Sequence, residues 1–140
     1  MKIAIANDHA AVEYKHILVN HLRSKGHEVV NFGTDESASC DYPDYAKKVA
    51  LAVQKNEVDA GVLICGTGIG MSISANRYKG IRSICANDPV EAFFARKDED
   101  ANVLTIGARF VSFRKAIKII QIFLTSEFEG GRHERRIAKY

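Results

Sequence analysis

Short apolar runs alternate with longer amphipathic stretches along the whole chain. Lys2–Ala6, Glu28–Asn31, Ala60–Cys65, Ile81–Ala86 and Asn102–Gly107 are too short for buried helices, and each reads as a strand. The third and fourth are nearly unbroken apolar runs, the pattern of parallel strands covered on both faces. Helical periodicity fills the intervals at about 10–25, 43–56, 69–79, 89–98 and 112–126, with a short sixth helix over 132–138.

Several boundaries have local causes. In Asp41-Tyr42-Pro43 the proline suits a first helical turn, where its missing N–H costs nothing. Tyr45, Ala46, Val49, Ala50 and Val53 then form one apolar stripe. Asp88-Pro89-Val90-Glu91 predicts a cap, a first-turn proline and a glutamate reaching back. Ser112 is the expected cap of the last long helix, whose Phe113, Ile117, Ile120 and Leu124 share a face. Gly26 and Gly80 can end helices in left-handed conformation.

Strand–helix alternation with right-handed crossovers predicts a single α/β domain over residues 1–140. Its expected form is a three-layer αβα, Rossmann-like doubly wound sheet of five parallel strands in the order 2-1-3-4-5. Such sheets bind ligands beyond the carboxyl ends of their strands. Residues at those ends are therefore the candidates for chemistry.

The third strand runs into Cys65-Gly66-Thr67-Gly68-Ile69-Gly70 and then a helix. Three alternating glycines let the backbone come close to a ligand and aim successive N–H groups inward. The positive end of the following helix favours an anion there. A dinucleotide fingerprint would need glycine at position 71, which is Met71. A phosphate-binding P-loop would need Gly-Lys-Ser/Thr, and a cysteine phosphatase an arginine at position 71. Asp8 and His9 follow the first strand, and Arg109 follows the fifth. Arg132 and Arg136 stand four apart, on one face if that segment is helical. Paired guanidiniums suit a phosphate.

Composition narrows the partner. A net charge of +3 is too small to argue for nucleic acid, and the local excess around Arg132, Arg135, Arg136 and Lys139 fits a small anion better than a duplex. No apolar stretch approaches the ~20 residues of a membrane helix. Cys40, Cys65 and Cys85 are odd in number and widely spaced, which suits a reducing cytoplasm. The five histidines show no metal-ligand spacing, so no metal and no cofactor is expected.

Asn7-Asp8-His9, Asp41-Tyr42-Pro43, the Cys65–Gly70 loop, Ala101-Asn102-Val103-Leu104, Gly107-Ala108-Arg109 and Gly130-Gly131-Arg132-His133 together resemble the ribose-5-phosphate isomerase B family. The resemblance spans essentially the full chain. The wider group includes galactose-6-phosphate isomerases. It implies an aldose–ketose isomerase acting on a sugar phosphate through an enediolate, as a homodimer or tetramer with shared active sites. It further implies Cys65 as base and Thr67 as an aid to proton movement. Gly66, Gly68, Ile69 and Gly70 would lie on the enediolate, Asp8 on sugar hydroxyls, and His9, Arg109, Arg132 and Arg136 on ring oxygen and phosphate. The chain departs from the pattern in Arg96-Lys97-Asp98-Glu99, where the family has Arg-x-His-Asn. Asp98 would inherit ring opening, and Glu99 a substrate contact. Two carboxylates beside a phosphorylated sugar also repel it. The alternatives are therefore a hexose-6-phosphate isomerase, an impaired sugar-phosphate-binding protein and, less well matched to Cys65 and the paired arginines, a flavodoxin-like module.

Overall fold

The computed structural model describes residues 1–140. Five parallel strands form one sheet: β1 (Lys2–Asn7), β2 (Glu28–Asn31), β3 (Ala60–Cys65), β4 (Ser83–Cys85) and β5 (Val103–Gly107). The helices are α1 (Val12–Ser24), α2 (Tyr42–Gln54), α3 (Ile69–Ala75), α4 (Pro89–Glu99), α5 (Phe113–Thr125) and α6 (Arg132–Ile137). A 3-10 turn at His9–Ala11 precedes α1. None of the helices is long and apolar enough to cross a membrane.

Alternate residues of each strand serve two cores. Ile3, Ile5, Val62, Ile64, Leu104 and Ile106 pack under α1, α4 and α5. Ala4, Ala6, Leu63, Cys65 and Val103 face α2 and α3. The three-layer doubly wound architecture is as expected, but the strand order is 2-1-3-5-4 rather than 2-1-3-4-5. The layers give the reason. Right-handed crossovers that run in opposite directions along a sheet must use opposite faces. Because α4 packs on the α1 face, the chain turns back after β4 and inserts β5 beside β3. β5 is buried throughout and pairs on both sides, whereas β4 is a three-residue edge strand.

The caps at Asp88 and Ser112 form as expected. Asp88 Oδ1 accepts from Val90 N–H at 2.8 Å and Glu91 N–H at 3.0 Å, and Glu91 accepts from Asn87 N–H. Ser112 Oγ accepts from Lys115 N–H at 3.2 Å. Gly26 and Gly80 adopt φ of +87° and +80°. On α5 the buried residues are Ala116, Ile119, Ile120 and Phe123, with Ile117 and Leu124 partly buried against the core and Phe113 exposed. Arg114, Lys115, Lys118 and Gln121 stay on the exposed side, and the buried stripe is centred on Ile119 and Phe123, away from Phe113. α3 is shorter than its pattern because the Asn76 side chain leaves the helix to pair with both backbone groups of Ser83.

Candidate active site

The first and third strands run parallel as neighbours at the point where the strand order reverses, and the crevice beyond their carboxyl ends holds the candidate residues. Asp8 N–H donates to the Ile64 carbonyl at 3.2 Å, which sets the two strand ends side by side. Asp8 is buried, and its Oδ1 accepts from Ala10 N–H at 3.0 Å, so it caps the 3-10 turn and not α1 itself. His9 Nδ1 accepts the Cys40 N–H at 3.2 Å. In neutral imidazole that bond leaves Nε2 carrying the proton, as a free donor.

Cys65 closes β3 with its sulfur on the α2/α3 side, nearly buried, and accepts the Gly68 N–H at 3.1 Å. This bond exists because Gly68 turns left-handed, with φ +77°. The turn also presses the loop on the sheet: a Cβ at Gly68 would meet Cys85 Sγ at 2.8 Å. The Thr105 hydroxyl donates to the Gly68 carbonyl at 2.9 Å and holds the loop from below. Thr67 Oγ1 accepts from Ile69 N–H at 3.3 Å. The N–H groups of Gly66, Thr67 and Gly70 have no partner within the chain and remain free donors in the loop that follows the sulfur. Arg109 lies over Gly66, its Cζ 3.0 Å from where a Cβ would stand there.

Cys85 stands against the same loop, beside Gly68. Burial pushes its thiol up, against an opposing Thr105 hydrogen bond and with the charges of Cys65 and Glu91 adding to the rise. It is held as a neutral thiol that donates toward the Thr67 carbonyl at 3.7 Å. Tyr42, read above only as a helix start, has its ring against Gly70, where a Cβ would lie 2.6 Å from Cζ. The glycine–aromatic contact spans two distant segments, and no local pattern announces it.

Asp98, Glu99, Arg132 and Arg136 do not join this cluster. α4 runs antiparallel to the strands, so its last residues lie at the amino edge of the sheet. Arg82, just before β4, donates to the Glu99 and Asp100 carbonyls, and Asn102 donates to Arg82. One strand length, about 15 Å for five residues, separates that edge from Cys65. α6 packs beside α4, with Arg132 and Arg136 exposed. There Asp98, Glu129 and His133 bring ligand-type atoms within 4.8 Å of one another. Sequence spacing did not reveal this trio, because Asp98 comes from another helix. The groove between α1 and α5, about 230 Å³, is largely apolar and contains none of the candidate residues.

The sequence matches the ribose/galactose isomerase family over residues 3–140. It is 46% identical over 136 residues to ribose-5-phosphate isomerase B of Escherichia coli, covering 97% of this chain and 91% of that one. The ribose 5-phosphate isomerase of Thermotoga maritima superimposes with a TM-score of 0.97 at 51% identity, covering 99% of this chain and 95% of that one. Ribose-5-phosphate isomerase B of Mycoplasma genitalium, solved with bound ribulose-5-phosphate, superimposes with a TM-score of 0.95 at 44% identity, covering 99% and 92%. A sulfur at the head of a loop with free main-chain donors at a strand switch point, on a fold shared from end to end with these relatives, places the chain in the ribose/galactose isomerase family.

Proposed function

We propose that the protein interconverts ribose 5-phosphate and ribulose 5-phosphate, with Cys65 as the base. The observation that carries this reading is the Cys65 sulfur, 3.1 Å from Gly68 N, at the head of a loop whose Gly66, Thr67 and Gly70 N–H groups have no partner. The relative from Mycoplasma genitalium holds ribulose-5-phosphate, the ketose of this pair. Cys65 thiolate takes the proton from the second carbon of the open aldose. The electron pair moves into the C1–C2 bond, and negative charge collects on oxygen. The thiol then returns the proton to the first carbon. Preorganised donors at such an oxygen can each contribute about 3–4 kcal/mol in the transition state. Thr67 carries hydrogen between the two sugar oxygens. Ile69 N–H holds the Thr67 hydroxyl, Asp8 binds hydroxyls, and His9 Nε2–H and Arg109 bind ring oxygen and phosphate.

Asp98, Glu99, Arg132 and Arg136 serve a second copy of the chain in a homodimer. Their place at the opposite edge supports this arrangement, because it keeps them from their own Cys65. The exposed apolar side chains Ile69, Ile73, Val90, Phe93 and Phe94, on α3 and α4, provide surface for such a partner. Asp98 then stands where it can assist ring opening.

Cys65→Ala tests the base. Turnover should fall by about 10²–10⁴-fold, the usual worth of a positioned base, while a phosphate-ester inhibitor still binds. Solvent deuterium should cease to enter the substrate at its second carbon. Wild-type turnover in the alanine variant refutes the assignment.

A further inference from the structure

Asp98, Glu129 and His133 meet where the segment after α5 folds back on the end of α4. Glu129 N–H donates to the Lys97 carbonyl at 2.9 Å, which fixes Glu129 beside Asp98. Gly130 and Gly131, at φ +71° and +59°, then turn the chain so that His133 points back into the cluster. His133 is only 5% exposed. Its Nε2 lies 3.2 Å from Glu129 Oε2 and 3.5 Å from Asp98 Oδ1, and it makes no hydrogen bond of acceptable geometry.

A buried imidazole nitrogen without a partner costs about 1–3 kcal/mol. A charged pair would relieve that cost by closing to ~2.7–2.9 Å in line. The two distances from His133 match something else, with the two carboxylates, within 4.8 Å of each other, left to close around it. A tetrahedral ion with bonds of about 2.0–2.1 Å holds its ligand atoms about 3.3–3.4 Å apart. We propose that Asp98, Glu129 and His133 bind one divalent transition-metal ion of the zinc type, with the fourth position open. Two carboxylates balance its charge, and an imidazole selects against magnesium and calcium, which prefer oxygen alone. The Asp98 and Glu129 side chains are 30% and 44% exposed, so an ion can reach the site. The nearest cation is Lys97, whose Nζ is 3.8 Å from Glu129 Oε2. That ammonium also lies over the Phe93 and Phe94 rings and has room to stay there.

This inference goes beyond the isomerase reading and is read by binding, so it stands or falls whatever Asp98 does to sugar. The chelator-treated full chain is titrated with zinc by calorimetry and with cobalt(II) by visible absorption. One equivalent should bind per chain, with the strong bands of four-coordinate cobalt and no thiolate charge-transfer band. Magnesium should not displace it. His133→Gln and Asp98→Asn should each weaken binding more than the ~10–100-fold that outer-shell changes produce. If His133→Gln does not fold, Asp98→Asn at its partly exposed position decides alone. Absent binding, affinity unchanged in the variants, displacement by magnesium, or a thiolate band lost in Cys65→Ala each overturn the proposal.

Discussion

The Thr67 carbonyl oxygen passes so close to Gly107 that a Cβ on residue 107 would stand 2.4 Å from it. Backbone meets backbone there, so no side chain can swing aside. Gly107→Ala should push the Cys65 loop outward and destabilise the fold by about 1–3 kcal/mol. A shift of ~1 Å at the donors should lower kcat about 100-fold. Gly80→Ala is the control: φ is +80° with nothing within 4 Å of the added carbon. It should cost about 1–2 kcal/mol in stability and leave kcat unchanged. Thermal melts and steady-state kinetics on the two variants separate the effects.

The contrast between Gly107 and Gly80 shows how far the sequence could be read. Gly80 announces itself at the end of a helical pattern, and Cys65–Gly70 announces itself by alternating glycines before a helix. The Gly107 contact is made by residues forty positions apart and leaves no local trace. The same limit applies to strand order, since the apolar runs at β4 and β5 look alike and only the face chosen by α4 decides which is inner. It applies again to Asp98, whose spacing from Cys65 says nothing about which edge of the sheet it reaches.

Lys15 is fully buried and paired with Asp35, while its Nζ also donates to the Thr34 carbonyl at 3.2 Å. Asn7 Nδ2 donates to the same carbonyl at 3.1 Å, so the ammonium helps anchor the loop that carries Cys40 to His9. The Lys15 hydrogen bond, and then its charge, lower the Asp35 carboxyl below its ordinary value of 3.8. The folded state therefore gains stability above that value and loses it as pH falls through the lowered one. Asp35→Asn should remove this acid dependence and, by stranding a buried ammonium, destabilise more than Lys15→Met does. Urea unfolding of the three proteins between pH 2 and 7 checks both points.

Tyr14 gives the alkaline counterpart. Its hydroxyl donates to the Val111 carbonyl at 2.8 Å, and burial raises its pKa from 10.0 to about 12. The folded state holds the proton after the unfolded chain has released it, so this contribution is intact below pH 10 and lost as pH rises toward 12. Tyr14→Phe should be less stable at neutral pH by about 0.5–1.5 kcal/mol, the worth of one hydrogen bond. Its stability should also fall less steeply between pH 10 and 12 in denaturant titrations.

Ring opening distinguishes Asp98 from the loop residues. If Asp98 moves a proton at the ring oxygen, Asp98→Asn in metal-free buffer should slow turnover of the cyclic sugar about 10²-fold or more. An open-chain analogue should be turned over at the parent rate. Equal losses on both substrates would assign Asp98 to binding, and no loss on either would remove it from the reaction.

The separation of Cys65 from Arg132 predicts complementation. Cys65→Ala should disable the loop half of a site, and Arg132→Ala the phosphate half. If each site draws its halves from two chains, a mixed dimer contains one doubly damaged site and one with both halves intact. Random reassortment makes about half of the dimers mixed, so mixing equal amounts should restore about a quarter of the parent activity. Neither variant alone should show that activity, and the recovery should depend on conditions that allow subunits to exchange. A site built within a single chain would instead leave the mixture as inactive as its components. This experiment thus decides whether residues at opposite edges of one sheet, about 15 Å apart by strand length, work on the same substrate.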